Sequence, residues 1–315
     1  MSHIFSFGDS YTGTDFKFNE IPFPSRNFPL GNPPYPGRTS ANGPNWIDYL
    51  TVKYNQSFIK TYNLAAGGAT ANPEMVPPGF PSVFSLRGQI VDAFIPGYSH
   101  RRIHGHDGQP KAPGYPHWLP QNTLFIIWMG INDVNGGFPR GPSGPGGTDA
   151  LNKRTFKEYA KMLDLLHQHG AANFAILNVP AIERSPHIRS QGAPAVAMAR
   201  RDLLQFNGML WDMLRSFKAK HKDKANVFVY DVYKDWNTVI DHPQAFKQTA
   251  RLKNTMDYCA AYQFGTPTPD YFDPACGVPA NQYLWSNAMH PTDRIHELVA
   301  ARIPEILLKG DQDLC

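Results

Sequence analysis

The chain has 315 residues, 42% of them hydrophobic and only 18% charged, so it can bury a substantial core and lacks the composition of a disordered protein. Its formal net charge is +4, and apart from one stretch, SHRRIHGHDGQPK at 99–111, its basic residues are scattered, which excludes an extended nucleic-acid-binding surface. No apolar run approaches the roughly 20 residues that a membrane-spanning helix needs.

The first predicted elements are a strand, a long loop, a helix and a second strand. HIFSF is the first strand, and a Pro-rich loop runs from Glu20 to about Pro44. NWIDYLTVKY shows helical spacing at Trp46, Leu50 and Tyr54, and FIKTYNLA is the second strand. A helix is expected next, over SVFSLRGQIVDAFI, where apolar residues recur on one side.

The rest of the chain continues the alternation of strands and helices. TLFIIWMG is a continuous apolar run, typical of a central parallel strand covered on both faces. After the excursion GGFPRGPSGPGG, the stretch FKEYAKMLDLLHQHG predicts a helix that Gly170 ends. NFAILNVP is the fourth strand, a long helix runs from about Ala195 to His221, and VFVYDVY is the fifth strand. The last helix begins near Pro291.

This alternation predicts a parallel sheet with helices on both faces and right-handed crossovers. We expect one domain over 1–315, a three-layer α/β/α fold with a mainly parallel five-stranded sheet and long Pro- and Gly-rich loops. In such sheets the active site lies at the carboxyl ends of the strands. Ser10, Gly68 and Asn132 each follow a predicted strand, and His290 precedes the last helix, so these four residues are expected at one rim.

The three cysteines are too few for a disulfide scaffold. Cys259 and Cys276 bracket a loop rich in Pro, Tyr and Asp, where a bridge fits an oxidising compartment, although the sequence alone leaves the pairing open. Cys315 is the odd one. The sequon NQS at Asn55 points the same way, and we expect a secreted, extracellular protein. No signal peptide is visible, and we interpret the chain as a mature protein with an added Met.

Four sequence blocks occur in order along the chain: FSFGDSYTGT, NLAAGGAT, GIND and HPT. Together they resemble the four blocks of the SGNH hydrolases, also called GDSL esterases/lipases, from Phe5 to the final helix. YPGRTSANGPNWIDYL resembles the fungal and plant branches, and the Pro-rich loops with QYLW are similar to fungal carbohydrate acetylesterases. The resemblance implies the flavodoxin-like fold of an SGNH hydrolase.

The resemblance also implies a role for each of four residues. Ester hydrolysis needs a nucleophile, a base and donors for the developing oxyanion. Ser10 matches the nucleophile and His290 the base, while the N–H of Ser10, the N–H of Gly68 and the Asn132 amide match the oxyanion hole. Singly, each has a structural alternative: a helix-capping serine, a turn glycine, a turn asparagine and a helix-start histidine. Their joint occurrence in order favours the functional interpretation.

One position departs from the family pattern. The family usually has Asp three residues before the histidine, where this chain has Asn287, and the sequence leaves open whether that residue is natural or engineered. An asparagine accepts a hydrogen bond from Nδ1–H but brings no charge, and its amide nitrogen favours the wrong tautomer. We expect a Ser10–His290 dyad, with Asn287 or a backbone carbonyl holding the ring. The alternatives are another acid, Asp293 or Asp273, or an impaired site.

The resemblance implies a serine esterase that hydrolyses short-chain acetyl esters, on carbohydrates, through an acyl-enzyme. We expect a monomer that acts on a small-molecule or oligosaccharide ester, with no metal, cofactor, nucleic acid or membrane span. Two alternatives stay open. One is a GDSL lipase or acyltransferase, which acyl-chain preference would distinguish. The other is a catalytically impaired carbohydrate-binding relative, which the replacement at Asn287 keeps open.

Other polar and aromatic residues receive structural interpretations or stay candidates. Asp9 and Asp133 belong to the blocks, but Asp9 is expected to shape the turn and Asp133 to have a structural role. Trp118, Trp285 and Tyr271 lie in predicted loops, where lining a sugar-binding cleft and ordinary packing are equally good hypotheses. A solvated loop, and not a metal site, is the interpretation of three further histidines: His100, His104 and His106.

Overall fold

The structure, a computed structural model, describes residues 1–99 and 116–311. The histidines at 100, 104 and 106, most of the basic stretch and Cys315 lie outside these residues. Within the described ranges, no helix has both the length and the apolar character to cross a membrane.

The described part of the chain forms a five-stranded sheet in the order β2-β1-β3-β4-β5, with every neighbouring pair parallel. Every residue of the central strand β3 is buried, as its continuous apolar run predicts. The predicted fold class, a three-layer α/β arrangement around a parallel sheet, is therefore confirmed. The strands are β1 His3–Gly8, β2 Lys60–Asn63, β3 Thr123–Trp128, β4 Asn173–Leu177 and β5 Asn226–Tyr230.

Helices follow most strands. The early ones are α1 Trp46–Val52, α2 Leu86–Gly88, a π-helical stretch Gln89–Phe94 and α3 Ile95–Tyr98. The middle ones are α4 Ile131–Gly137, α5 Thr148–Gln168, α6 Pro186–Arg189 and α7 Ala193–His221. The last two are α8 Val232–Asp241 and α9 Asp293–Leu308. Short 3₁₀ turns lie at Pro120–Asn122, Phe138–Arg140, Ile182–Arg184, Lys222–Lys224, Pro243–Ala245, Ala260–Tyr262, Pro274–Cys276 and Ala280–Gln282.

Several element boundaries differ from the prediction, and α5 begins at Thr148, eight residues before the predicted stretch that starts at Phe156. The apolar run VFVYDVY suggested a strand to its end, but β5 stops at Tyr230 and its last residues open the unpredicted helix α8. Asp231 causes this change, because its side chain caps α8 by accepting a hydrogen bond from the Lys234 N–H. The second predicted helix starts late, at Leu86, where Ser85 is the cap. The first ends at Val52, which leaves Tyr54 outside it.

Helices cover the sheet in two groups. α1 packs against α9, whereas α4 and α5 pack against α7. The side chains of adjacent strands follow this division. The rings of Phe5 and Phe7 contact Phe94, with centroids 5.1 and 6.1 Å apart, whereas Trp128 contacts Trp46 at 6.1 Å. The sheet is therefore buried on both sides by aromatic and aliphatic side chains.

Two tryptophans expected in loops belong to the core. Trp118 and Trp285 are almost completely buried, so the hypothesis that they line a sugar cleft is wrong. The Trp118 ring packs against Phe5 and Phe125, with centroids 5.6 and 5.5 Å apart. Tyr271 remains 40% exposed. Each tryptophan flanks an element, and the pattern of the sequence does not show which way such a side chain turns.

A disulfide closes the segment Cys259–Cys276, which we call the arm. Cys259 and Cys276, 17 positions apart, are bonded, which answers the pairing that the sequence left open. Tyr262 and Cys276 of this arm form a small core with Ala280 and Tyr283, separate from the main core. The arm reaches the loop before α1, where the Thr266 N–H donates to the Asn42 Oδ1 at 2.8 Å.

We expect the double substitution Cys259→Ser, Cys276→Ser to lower the free energy of unfolding by about 3 kcal/mol, because opening a loop of this length frees the unfolded chain. Urea unfolding followed by fluorescence measures the change. Cys315→Ser is the control, since it removes a cysteine and leaves the arm closed. Equal midpoints for the double variant and this control would contradict the expectation.

Candidate active site

The candidate site lies where the order of the strands reverses. In the order β2-β1-β3-β4-β5, the chain leaves β1 in one direction and β3 in the other, which opens a crevice at their carboxyl ends. Ser10 follows β1, and Asn132 lies in the first turn of α4, directly after β3. The topology therefore brings these two predicted residues to one crevice.

Ser10 lies on a tight turn. The Asp9 carbonyl accepts hydrogen bonds from the N–H of Thr12 at 3.1 Å and of Gly13 at 2.8 Å. The next helix, α1, has Asn45 as its cap, so Ser10 is not a helix-capping serine. The turn leaves Ser10 partly exposed at the end of a fully buried strand.

Gln89 holds the backbone just before this turn. Its Oε1 accepts from the Gly8 N–H at 3.0 Å, and its Nε2 donates to the Gly8 carbonyl at 2.8 Å. Sequence reasoning missed Gln89 because it belongs to no motif. The available signal was a polar residue inside an otherwise apolar helical side, and the structure shows it fully buried.

His290 joins Ser10 and Asn287 in a continuous line of hydrogen bonds. Its Nε2 lies 2.8 Å from the Ser10 Oγ, and its Nδ1 lies 3.0 Å from the Asn287 Oδ1. The other acids do not take the place of Asn287. Asp293 accepts from the Tyr49 hydroxyl at 3.0 Å, and Asp273 caps a 3₁₀ turn.

The surroundings of Asn287 determine which of its side-chain atoms faces the ring. The backbone N–H groups of Met289 and His290 both donate to its Oδ1, at 3.0 and 2.9 Å. Two N–H donors require an oxygen, so the amide nitrogen is turned away. The same oxygen faces His290 Nδ1, which must therefore carry the proton. Nε2 is left unprotonated toward the Ser10 hydroxyl, the tautomer that a general base requires.

Aromatic side chains pack against one side of His290. Tyr11 lies with its ring centroid 5.8 Å from the imidazole, and its hydroxyl donates to the Met289 carbonyl. Trp128 and His296 pack behind Tyr11, at 5.6 and 6.1 Å. Burial against this cluster lowers the pKa of His290 to about 4, because the charged imidazolium loses water. The ring is therefore neutral over most of the acidic range.

The GIND block anchors the segment that follows β2. Asn132 Nδ2 donates to the Ala69 carbonyl at 2.9 Å, and the Asp133 carboxylate accepts from the Ala71 N–H at 2.9 Å. Burial raises the pKa of Asp133 to about 7, and that of Asp9 to about 7 as well. The Asp9 carboxyl accepts from the Tyr11 N–H at 3.0 Å, so both side chains bond to backbone groups, in agreement with the structural roles expected for them.

Three donors remain available around this segment. Gly68 has a positive φ of 80°, and its carbonyl accepts from the Gly79 N–H at 2.9 Å. The N–H groups of Gly68 and Ser10 donate to no acceptor within 1–99 and 116–311. Asn132 uses one amide hydrogen for Ala69 and keeps the second. These are the three groups that the sequence analysis assigned to the oxyanion hole.

A cleft of about 360 Å³ opens beside Ser10, within the size range of small-molecule sites. Its lining includes apolar side chains, namely Phe16, Phe18, Leu64, Val83 and Phe84. Three charged side chains share the wall with them, namely Asp15, Lys17 and Arg38. Of these residues only Leu64 belongs to one of the four sequence blocks, and sequence reasoning missed the cleft. In the described ranges, no group of three or more His, Cys, Asp or Glu residues is arranged to hold a metal ion.

Comparisons with known proteins identify a family and several similar proteins. The family model described as GDSL-like Lipase/Acylhydrolase matches residues 4–303. An acetylesterase of Thermothelomyces thermophilus is 31% identical over 305 residues, which cover 96% of this chain and 87% of the relative. A thermolabile hemolysin of Vibrio parahaemolyticus is 22% identical, with 97% of this chain and 63% of the relative covered. A solved lipolytic protein of the G-D-S-L family from Veillonella parvula is 14% identical, with 98% of this chain and all of that chain covered, at a TM-score of 0.42.

We expect Gly68→Ala to lower the free energy of unfolding by about 1–3 kcal/mol, because a side chain at positive φ is strained. Its Cβ would also lie only 3.1 Å from the Gly79 Cα. Gly67→Ala is the matched control, since its Cβ meets only the Ser10 Cβ, at 3.8 Å. Urea unfolding of both variants checks the difference, and equal losses in the two would contradict it.

Proposed function

The chain belongs to the GDSL-like lipase/acylhydrolase family and is a carboxylic ester hydrolase, and we propose that it removes acetyl groups from carbohydrates through an acyl-enzyme on Ser10. The observation that carries this proposal is the line from Ser10 Oγ through His290 to Asn287 Oδ1, with hydrogen bonds of 2.8 and 3.0 Å. The relative named an acetylesterase supports the choice of acetyl esters.

In the first half of the reaction, the ester is cleaved. The Ser10 Oγ forms a bond to the ester carbonyl carbon while its proton passes to His290 Nε2. The carbonyl oxygen becomes an oxyanion, to which the N–H of Ser10, the N–H of Gly68 and the Asn132 amide donate. The bond to the sugar oxygen then breaks, and His290 returns the proton to that oxygen. The sugar leaves, and the acetyl group stays on Ser10.

In the second half, water replaces the sugar. His290 Nε2 takes a proton from a water molecule as the water oxygen attacks the acetyl carbon. The same three donors hold the second oxyanion, and the bond to Ser10 Oγ breaks as His290 protonates it. Acetate is released, and the free serine is restored without any net change in the enzyme.

Asn287 affects both the rate of the reaction and the pH range over which His290 acts as a base. It holds the imidazole in the productive tautomer, but it brings no negative charge to stabilise the imidazolium formed during the reaction. The neutral ring is also the weaker base, since burial lowers its pKa to about 4. We therefore propose that His290 accepts the serine proton more slowly than the histidine of a triad with aspartate does. We also propose that it stays unprotonated in acid.

The mixed lining of the cleft supports a polar alcohol over a lipid. A lipase requires a large apolar groove for its acyl chain, whereas this cleft combines aromatic rings with three charged side chains. Rings beside polar groups suit the alternating apolar and hydroxyl faces of a sugar. The disulfide Cys259–Cys276 supports secretion, because such bonds persist in oxidising compartments.

The first test is hydrolysis of p-nitrophenyl acetate. We expect Ser10→Ala to lower kcat by about 10⁴–10⁶-fold, because the nucleophile is lost. Ser216→Ala, on the exposed side of α7, is the control and should keep the parent rate. Acid quenching during turnover should leave an acetyl group on the peptide that carries Ser10. Unchanged turnover in Ser10→Ala would contradict the mechanism, and equal rates on acetate and octanoate esters would contradict the acetyl preference.

A second test uses the pH dependence of kcat/KM. The parent should keep its activity as the pH falls until about pH 4, where the base becomes protonated. Asn287→Asp should raise the pKa of His290, move the acid limb to higher pH and raise the rate at pH 8, with a ceiling of about 10⁴-fold.

Asn287→Ala is the companion to Asn287→Asp. It removes the acceptor for Nδ1–H and for two backbone N–H groups, so it should lose activity at every pH. Identical acid limbs in the parent and Asn287→Asp would contradict the assignment of His290 as the base.

A further inference from the structure

Three charged side chains lie on the wall of the cleft that Ser10 also lines. Lys17 and Arg38 both pair with Asp15, Lys17 through a close ion pair and Arg38 through Nη1, 3.5 Å from the carboxylate. Two cations therefore share one carboxylate. The charged wall of the cleft carries a net charge of +1, next to the serine that takes the acyl group.

The backbone beneath these side chains is closely held. Asp15 has a φ of 63°, a left-handed conformation that aspartate and asparagine adopt more readily than other non-glycine residues. The Arg38 N–H donates to the Thr14 carbonyl at 3.0 Å. Gly37 makes that approach possible, since a Cβ there would lie 2.6 Å from the same carbonyl oxygen.

Lys17 is held by a buried side chain from the Pro-rich loop. Its backbone N–H donates to the Asn32 Oδ1, and its carbonyl accepts from the Asn32 Nδ2, both at 3.0 Å. The loop that follows Arg38 is tied to the catalytic histidine segment, because the Ser286 hydroxyl donates to the Ser40 carbonyl at 3.2 Å. The backbone segments that carry the two cations are thus tied to the loop around Asn32 and to the segment of His290.

Arg38 has unused capacity for binding. Its side chain is 83% exposed, and within the described ranges its guanidinium makes only the long contact to Asp15 and no hydrogen bond. A guanidinium presents five donors in a planar fork that matches a carboxylate. Solvent water satisfies these donors in the free protein, and they are accessible to a carboxylate that enters the cleft.

We propose that Arg38, with Lys17, binds a carboxylate on the carbohydrate, so that the preferred substrate is an acetylated sugar carrying a uronic acid group. This inference rests on the proposed function, since it concerns the alcohol part of the ester that Ser10 cleaves. The aromatic side chains of the cleft contact the sugar ring, and the two cations select its acidic group. Asp15 limits the attraction by holding both cations in place.

The experiment compares two esters that differ only at one carbon: mono-O-acetylated methyl glucuronoside and mono-O-acetylated methyl glucoside. We expect kcat/KM to be about 10-fold higher for the acidic sugar, chiefly through KM, because hydrogen bonds between charged groups are strong. Added salt should reduce this ratio, since the cations are exposed.

Three variants test the assignment in both directions. Arg38→Gln should bring the ratio close to 1, and Arg38→Lys should keep part of it, since the charge remains and the fork is lost. Asp15→Asn should raise the ratio, because the competing carboxylate disappears while asparagine tolerates a positive φ. Arg215→Gln, on the surface of α7, is the control for the loss of one arginine and should keep the parent ratio.

The outcomes separate this inference from the proposed function. If the parent leaves p-nitrophenyl acetate intact, the proposed esterase function itself fails. If the parent cleaves it but treats the two sugars equally, or if Arg38→Gln and Arg215→Gln give the same ratio, only the carboxylate inference is overturned.

Discussion

One oxygen atom determines whether this site can work as a base-catalysed esterase. The Asn287 Oδ1 accepts hydrogen bonds from two backbone N–H groups and from His290 Nδ1. Asparagine is normally ambiguous beside a histidine, because its amide can present either atom. Here the two backbone donors remove the ambiguity, since neither could face an NH₂ group. The tautomer of His290 is therefore set by the loop, and the function usually supplied by a carboxylate is divided. Asn287 orients the His290 ring as a carboxylate would, but it supplies no negative charge.

The sheet carries that loop to the serine. Ser10 and His290 are 280 positions apart, so their 2.8 Å contact depends on the whole topology and on buried polar groups at the strand ends. Gln89 fixes the last residue of β1, and Asp133 fixes the segment after β2. Each of these side chains is buried and makes its hydrogen bonds to backbone groups, which cannot move away. The groups that we propose to react are thus positioned by neighbours to which no chemical role is assigned.

The sequence predicts the fold well because the strands are apolar runs of different character from the amphipathic helices between them. It predicts the serine, the histidine and the three donors as a group, since each stands at an element boundary inside a recognisable block. The sequence does not predict features that depend on tertiary contacts. The end of β5 depends on a cap at Asp231, and the burial of Trp118 depends on the neighbouring Phe5 and Phe125. The orientation of the Asn287 amide depends on the backbone N–H groups of Met289 and His290. Because a backbone N–H is present in every residue except proline, no pattern of side chains reveals this orientation.

The side chains to which we assign sugar binding are separate from the groups to which we assign the chemistry. The pKa of His290 is lowered by burial, and none of the charged side chains on the cleft wall contributes to that shift. The pKa of His290 therefore depends on burial against Tyr11 and its neighbours. The charge of the cleft depends on Lys17, Arg38 and Asp15. For the proposed sugar substrate, a change in its charge is therefore expected to alter the affinity without altering the protonation of His290. Since the orienting residue is itself neutral, the catalytic line has little charge through which the cleft could act on it. Substrate preference can thus change in this fold by substitutions on the cleft wall, while the tautomer and the oxyanion donors stay as they are.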